Sequence, residues 1–274
     1  MPNFICRTCG VQYPDTPEPP AVCKICDDER QYIGHRGQQW TTLEELLAGQ
    51  YMNRIEEADP GVVSIFTTPG IAIGQRMILV RTDSGNFLWD SITYVDDATV
   101  EAIREMGGVQ GISVSHPHFY SSVVEWSHAF DDAPIYMPET DREYFVRPDP
   151  AVRWYSGKVD LWPGLTLIQC GGHFEGSSVL HWAGGADGKG ALFTGDSISV
   201  AADRGWVTFM RSYPNYIPLP PAEIRRILKS IEPYEFDRIH GGWFGNDVRS
   251  DAKAAVWRSA ERYIKWTGEK ELRT

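Results

Sequence analysis

"GISVSHPHFYSS", residues 111–122, sets His116 and His118 one residue apart where a short apolar run stops, and follows them with Tyr120 and Ser121. Taken alone, an H-x-H is a weak signal, met more often as loop or surface histidines than as a ligand pair. The rest of the chain decides how it is read, and with it the fold.

Outward from this stretch, short β-rich runs alternate with amphipathic helices. The candidate strands are "VVSIFT", "MILVRT", "NFLW", "GISVS", "LTLIQC", "SVLHWA", "ALFT" and "FDRIH". Helical patterns occur in "TTLEELLAG", "DDATVEAIREMG", "SSVVEWSHAF", "PPAEIRRILKSIE" and "SDAKAAVWRSAERYIKW". In the last of these, Ala255, Ala260, Tyr263 and Ile264 lean to one face, with charges opposite. Glycine and proline punctuate the connections. The layout is α/β. His116 follows "GISVS", His173 follows "LTLIQCGG", Asp196 follows "ALFTG", His240 ends "FDRIH" and Asp90 follows "NFLW". In open α/β sheets strand ends converge on one edge, and ligands bind in the crevice there. Residues able to ligate or support a metal at five separate strand ends point to one shared site. That convergence moves His116 and His118 toward ligation.

With 274 residues and 42% hydrophobic content, the chain can bury one large domain plus a small appendage. A net charge of −11 argues against a nucleic-acid partner, which needs a basic face to displace counterions, and leaves a small-molecule substrate. No run of eighteen apolar residues appears, so no membrane span is expected. The start, "MPNFICRTCG", lacks the basic and apolar regions of a secretory signal, and the expected location is cytoplasmic.

Four of the five cysteines, Cys6, Cys9, Cys23 and Cys26, lie in "CRTCGVQYPDTPEPPAVCKIC". Each C-x-x-C can wrap one turn around a metal, and two such knuckles make a closed tetrathiolate site, normally a structural one. Reduced thiols or two disulfides are the plainer alternatives, disfavoured by a reducing compartment and by the paired spacing. The intervening "PDTPEPP" suits the loop between knuckles. Cys170 ends the apolar run "LTLIQC" and reads as a buried strand residue. The segment resembles rubredoxin-like and zinc-ribbon modules, "CRTCGVQY" above all, although "CKICDDE" lacks the glycine that often follows the last cysteine there. Both zinc and iron suit four thiolates, and zinc is the usual metal of a closed site. With "QYIGHRGQQW" read as a linker, the expected division is a four-cysteine module over residues 1–40 and a main domain over 41–274.

"SHPHFYSS", "GGHFEGSS", "LFTGDSI" and "IHGGWFG", in that order, resemble the metallo-β-lactamase-fold hydrolases from about residue 60 onward. The resemblance implies a four-layer αβ/βα sandwich with a metal site at one edge of its two sheets. It implies that His116, His118 and His173 bind a first metal, that Asp196 bridges, and that His240 serves a second. "NFLWDS" is similar to the family's strand–aspartate turn, which makes Asp90 a supporting carboxylate. The family's first motif is usually H-x-H-x-D-H, and here its last two positions are Tyr120 and Ser121. A neutral phenol and a hydroxyl are poor ligands for a divalent cation. The expectation is therefore one zinc or iron at the histidine site, not two.

The activity implied is hydrolysis of an ester, thioester, lactone, lactam or phosphodiester by a water that the metal activates. Asp196 takes over the orientation of that water, with His240 or the Tyr120 hydroxyl donating to the developing oxyanion. Tyr120 has an equal alternative as packing at the start of a helix. Glu175 reads as a solvated loop charge. Two further readings stand beside this one: a mononuclear iron oxidoreductase acting on thiols or persulfides, and a member that binds metal but turns nothing over.

Overall fold

A computed structural model of the chain describes residues 1–268. The N-terminal segment forms three short strands, β1 (Asn3–Cys6), β2 (Gln12–Asp15) and β3 (Trp40–Thr42), in the order β2-β1-β3. Pro14 lies in the edge strand, where its missing N–H breaks no ladder. "QYIGHRGQQW" does not run on as a tether: its last residue, Trp40, pairs with Cys6 across β1 and β3. The boundary expected between residues 40 and 41 thus falls inside β3. Helix α1 (Leu43–Leu47) starts at once, capped by the Thr42 hydroxyl accepting from the Glu45 N–H.

A seven-stranded sheet follows: β4 (Met52–Asp59), β5 (Val62–Thr68), β6 (Arg76–Thr82), β7 (Gly85–Trp89), β8 (Gly111–Ser113), β9 (Ile135–Pro138) and β10 (Val152–Tyr155), side by side in chain order. Strands β4 to β7 are antiparallel hairpins, and β7 to β10 run parallel. Helices α2 (Asp97–Glu105) and α3 (Val123–Ala129) lie in the parallel crossovers, as parallel pairing requires. The second sheet holds β11 (Lys158–Trp162), β12 (Leu165–Gln169), β13 (Ser178–Trp182), β14 (Ala191–Gly195), β15 (Arg238–Gly241) and β16 (Asp247–Val248). Helices α4 (Pro221–Ile231) and α5 (Ala252–Trp266) pack on its outer face.

Strand alternation builds the layers. In β6, Met77 and Leu79 point into the layer of α2, α3 and the cysteine segment, whereas Ile78 and Val80 point at the other sheet. In β14, Ala191 and Phe193 face the first sheet, and Leu192 faces α4 and α5. The α4 stripe Ile224, Ile227, Leu228 and Ile231 is buried there at helical spacing. The result is the four-layer αβ/βα sandwich that the sequence implied, with the four-cysteine segment packed on the first sheet's helical side. Strand β4, "MNRIEEAD", carries no apolar alternation, because it is a largely exposed edge strand held by its ladder to β5. Among the described residues no helix is long and apolar enough to cross a membrane.

Candidate metal centres

The connections that leave β8, β12 and β14 meet at one place. Beyond β8, His116 precedes a 3-10 turn, Pro117–Phe119, that carries His118. His173 sits in the loop between β12 and β13, and Asp196 directly follows β14. Each offers one ligand atom, and the four atoms lie within 4.8 Å of one another. His116 Nε2 is 3.4 Å from Asp196 Oδ2, His173 Nε2 is 3.7 Å from the same oxygen, and His173 Nε2 is 3.1 Å from His118 Nδ1. Donors about 2.1 Å from a tetrahedral metal stand roughly 3.4 Å apart. The spacing therefore fits one ion. The two strand ends come this close because residue 195 is glycine: its φ is +50°, and a Cβ on it would meet Ser115 Oγ at 2.2 Å.

Hydrogen bonds from the far side of two of the three rings aim their lone pairs inward, while His118 Nε2 has no protein partner. His173 Nδ1 lies 3.0 Å from the Met210 carbonyl and must donate to it, which leaves Nε2 as the bare nitrogen. His116 Nδ1 lies 2.9 Å from Ser115 Oγ, and its buried Nε2 has no protein partner. Burial is nearly complete, at 0% exposure for His116 and His173, 2% for His118 and 5% for Asp196. Burial, reinforced by the neighbouring His173 and His116 rings, holds His118 well below the usual histidine range. Burial and then His116 push His173 down to about 4. Burial pushes the Asp196 carboxyl up, but His116 and His173 together pull it below its usual value. Neutral His118 and His173 beside an ionised Asp196 are in the protonation state that a divalent cation needs.

Asp90 lies outside this ring of four. It follows β7, and its Oδ1 accepts the Ser115 N–H at 2.7 Å, so it fixes the backbone beside His116. Tyr120 packs edge-on against Phe145, and its buried hydroxyl has no partner. Ser121 Oγ accepts from Gln75 Nε2 at 2.7 Å. Glu175 is exposed and pairs with Arg226. His240 is not where a strand-end reading put it. It lies inside β15, and alternation turns it away from Ile239, into the layer between the sheets, where its ring stacks on Phe193. There His240 Nδ1 meets Asp247 Oδ1 at 3.2 Å, and the same oxygen takes the buried Arg76 guanidinium at 2.6 Å.

Cys6, Cys9, Cys23 and Cys26 form the second cluster, all buried and unbridged, with Cys6 Sγ 3.6 Å from Cys26 Sγ and Cys9 Sγ 3.7 Å from Cys23 Sγ. A tetrahedron of sulfurs about 2.3 Å from a metal has edges near 3.8 Å, so these four also fit one ion. Gln38 Nε2 and the Tyr13 hydroxyl point at Cys6 and Cys23 as hydrogen-bond donors. These are the two His/Cys/Asp/Glu clusters with metal-binding geometry among the described residues.

Sequence reasoning missed Arg30, Asp141 and Phe119. Arg30, 7% exposed, donates from Nε to the His173 carbonyl at 2.7 Å and lies 4.3 Å over the Phe174 ring. Asp141 Oδ1 accepts the Gly176 N–H of the His173 loop at 2.8 Å, while its Oδ2 has no partner. The Phe119 ring centroid stands 4.5 Å from that of His116. No spacing signal marks Arg30 or Asp141, which reach the site through tertiary contact, and Phe119, although next to His118 in the same turn, carries no ligating group that would single it out.

Against known proteins, the chain is 48% identical over 267 residues to the Uncharacterized protein YmaE of Bacillus subtilis (strain 168), spanning 97% of both chains. The chain belongs to the YmaE family. No protein-family model matches it. Of solved structures, this YmaE-family chain is similar to VMB-1, with TM-score 0.61 and 14% identity over 81% of this chain and 100% of that one. It is also similar to DIM-1 metallo-β-lactamase, with TM-score 0.58 and 15% identity over 79% and 98% of the two chains. At these identities the likeness is one of fold, and the fold is the metallo-β-lactamase sandwich.

Proposed function

We propose that the protein is a metal-dependent hydrolase of a small-molecule ester, thioester, lactone, lactam or phosphodiester, with a single ion on His116, His118, His173 and Asp196. The convergence of three imidazoles and an ionised carboxylate at the strand ends carries this reading. A divalent metal held there lowers the pKa of water toward neutrality and stabilises negative charge on a substrate oxygen. Asp196 is ionised at neutral pH, and its buried, unpartnered Oδ1 is the free acceptor for a proton of the attacking water. The hydrogen bonds of His173 to Met210 and of His116 to Ser115 keep both rings from turning.

One ion rather than two is supported by the fate of the remaining positions. Ser121 is engaged by Gln75, His240 lies outside the cluster of four donor atoms with its Nδ1 on Asp247, and the Phe119 ring fills the space in front of Gly242. The closed burial of all four ligands favours a small molecule over a polymer. The four-thiolate cluster is read as a structural site, for zinc in the first place and iron in the second.

The fourth donor favours a competing reading. Three histidines and a carboxylate fill four-coordinate zinc, so hydrolysis there would need a fifth position for water, whereas six-coordinate iron would keep two positions for chemistry, as a mononuclear oxidoreductase of thiols or persulfides requires. Metal analysis and visible absorption of the purified full chain, with a panel of the five hydrolase substrate classes, separate the two. Zinc or another colourless divalent ion at the histidine centre, with turnover of one class that His118→Ala abolishes, is expected. Iron at that centre with no hydrolysis of any class would overturn the proposal.

A further inference from the structure

The residues that follow each cysteine knuckle touch a different ligand loop of the histidine centre. After Cys9, the Gly10 carbonyl accepts from Thr93 Oγ1 at 3.2 Å, and the Gln12 N–H donates to the Ser121 carbonyl at 3.0 Å. Ser121 lies three residues beyond His118, so the first knuckle's exit holds the far end of the connection that carries His116 and His118. After Cys26, the chain runs through Asp28 to Arg30, whose Nε donates to the carbonyl of His173 itself. Asp28 grips the Arg30 guanidinium through both carboxylate oxygens at 2.8 Å and takes the Tyr144 hydroxyl at 3.0 Å. Ser212 Oγ donates to the Arg30 carbonyl, and Asn215 Nδ2 donates to the carbonyls of Glu29 and Gln31. Residues 210–215 are thereby tied to the second knuckle's exit, and Met210 supplies the carbonyl that fixes the His173 ring.

A buried guanidinium beside a cation site works against the bound ion electrostatically, and burying it at all is costly without a partner. Asp28 answers the charge, and what Arg30 contributes to the centre is position: it fixes the backbone of His173 and covers the ring of Phe174 beside it. We propose that Arg30 is a positioning residue for the histidine centre, and that through it and the Gln12–Ser121 contact a metal on the cysteine cluster raises metal affinity at the histidine centre. The inference rests on both clusters being metal sites. Without its ion the ring of four sulfurs has nothing to close it, the two exits loosen together, and both ligand loops lose their outer supports. Linkage makes the effect reciprocal: an ion at the histidine centre tightens the cysteine site by the same factor.

Cobalt(II) titration of the metal-free full chain reads the two sites apart, since a tetrathiolate site gives strong sulfur-to-cobalt charge transfer and a nitrogen–oxygen site only weak visible bands. In Arg30→Ala the thiolate band should develop fully while affinity at the nitrogen–oxygen site falls about 10- to 100-fold, the range for lost outer-sphere partners of a metal ligand. Asp28→Asn, which keeps the Arg30 side chain but weakens its anchor, should lose affinity in the same direction by less. It serves as the test if Arg30→Ala does not fold. Cys9→Ser should lose the thiolate band and weaken the nitrogen–oxygen site together. Wild-type cobalt affinity at the nitrogen–oxygen site in both Arg30→Ala and Asp28→Asn would overturn the positioning role of Arg30, and wild-type affinity there in Cys9→Ser would overturn the coupling. A wild-type protein showing only the thiolate band would instead remove the histidine centre, and the coupling with it.

Discussion

The ring of Phe119 occupies the ground in front of Gly242: a Cβ on that glycine would meet two of its carbons at 2.7 and 2.8 Å. The same ring packs on His116 and, edge-on, on Trp243. Gly242→Ala is therefore expected to cost about 1–3 kcal/mol by overpacking. Phe119→Leu in the same chain should recover part of that loss, giving a coupling of roughly 0.5 kcal/mol or more in a double-mutant cycle of urea unfolding. Strictly additive losses would show that the ring moves aside freely.

His118 and His240 should behave oppositely. His118→Ala removes one of four donors, and metal content at the histidine centre should fall to near zero with any activity. His240→Ala should keep the metal and lose stability instead, by about 2–4 kcal/mol, because it opens a cavity beside Phe193 and strips a partner from Asp247. Metal analysis and denaturant unfolding of both variants decide this. A metal-free His240→Ala protein of normal stability would place His240 at the ion.

Tyr120→Phe deletes a buried hydroxyl that has no hydrogen-bond partner. Since such a group costs free energy where it is, the variant should be as stable as the parent or more so by about 1 kcal/mol, with unchanged metal content. Turnover reduced more than tenfold in a stable, metal-replete variant would show that the hydroxyl acts on substrate.

Asp90 supplies a pH test. Burial pushes its carboxyl up to about 6 from the usual 3.8. The folded state thus favours the protonated form, and the stability this group contributes is complete below about pH 3.8 and is lost as pH rises through about 6. Asparagine keeps the acceptor for the Ser115 N–H and tolerates the φ of +63° at this position. The stability of the parent relative to Asp90→Asn should therefore fall by about 2 kcal/mol between pH 4 and pH 7. Denaturant unfolding of the pair across that range measures it, and a gap independent of pH would sink the assignment.

His116, His173 and Asp196 were legible because each follows an apolar run that reads as a strand and strand ends meet at a sheet edge, an argument that pointed equally to Asp90 and His240. The resemblance to the metallo-β-lactamase fold implied the set completed by His118. The cysteine quartet was legible because two residues between ligands span one turn of a knuckle wherever it occurs. His240 was misplaced for a reason equally physical. Alternation puts His240 on the face opposite Ile239, and "FDRIH" alone reveals neither that β15 continues through Gly241 nor that Ile239 packs on the helices, which turns His240 between the sheets.

By itself, the sequence determined the α/β class and the cysteine quartet, since hydrophobic period and ligand spacing are local properties of the chain, whereas the four layers and the histidine-site ligands came from its resemblance to the metallo-β-lactamase fold. Only the tertiary structure decided that Arg30 reaches the His173 carbonyl, that Phe119 fills the space before Gly242, and that His240 belongs to a buried Asp247–Arg76 network. Those pairs are separated by 143, 123 and 7 residues, or joined through a third side chain, and no local pattern encodes which surfaces the packing of two sheets brings face to face.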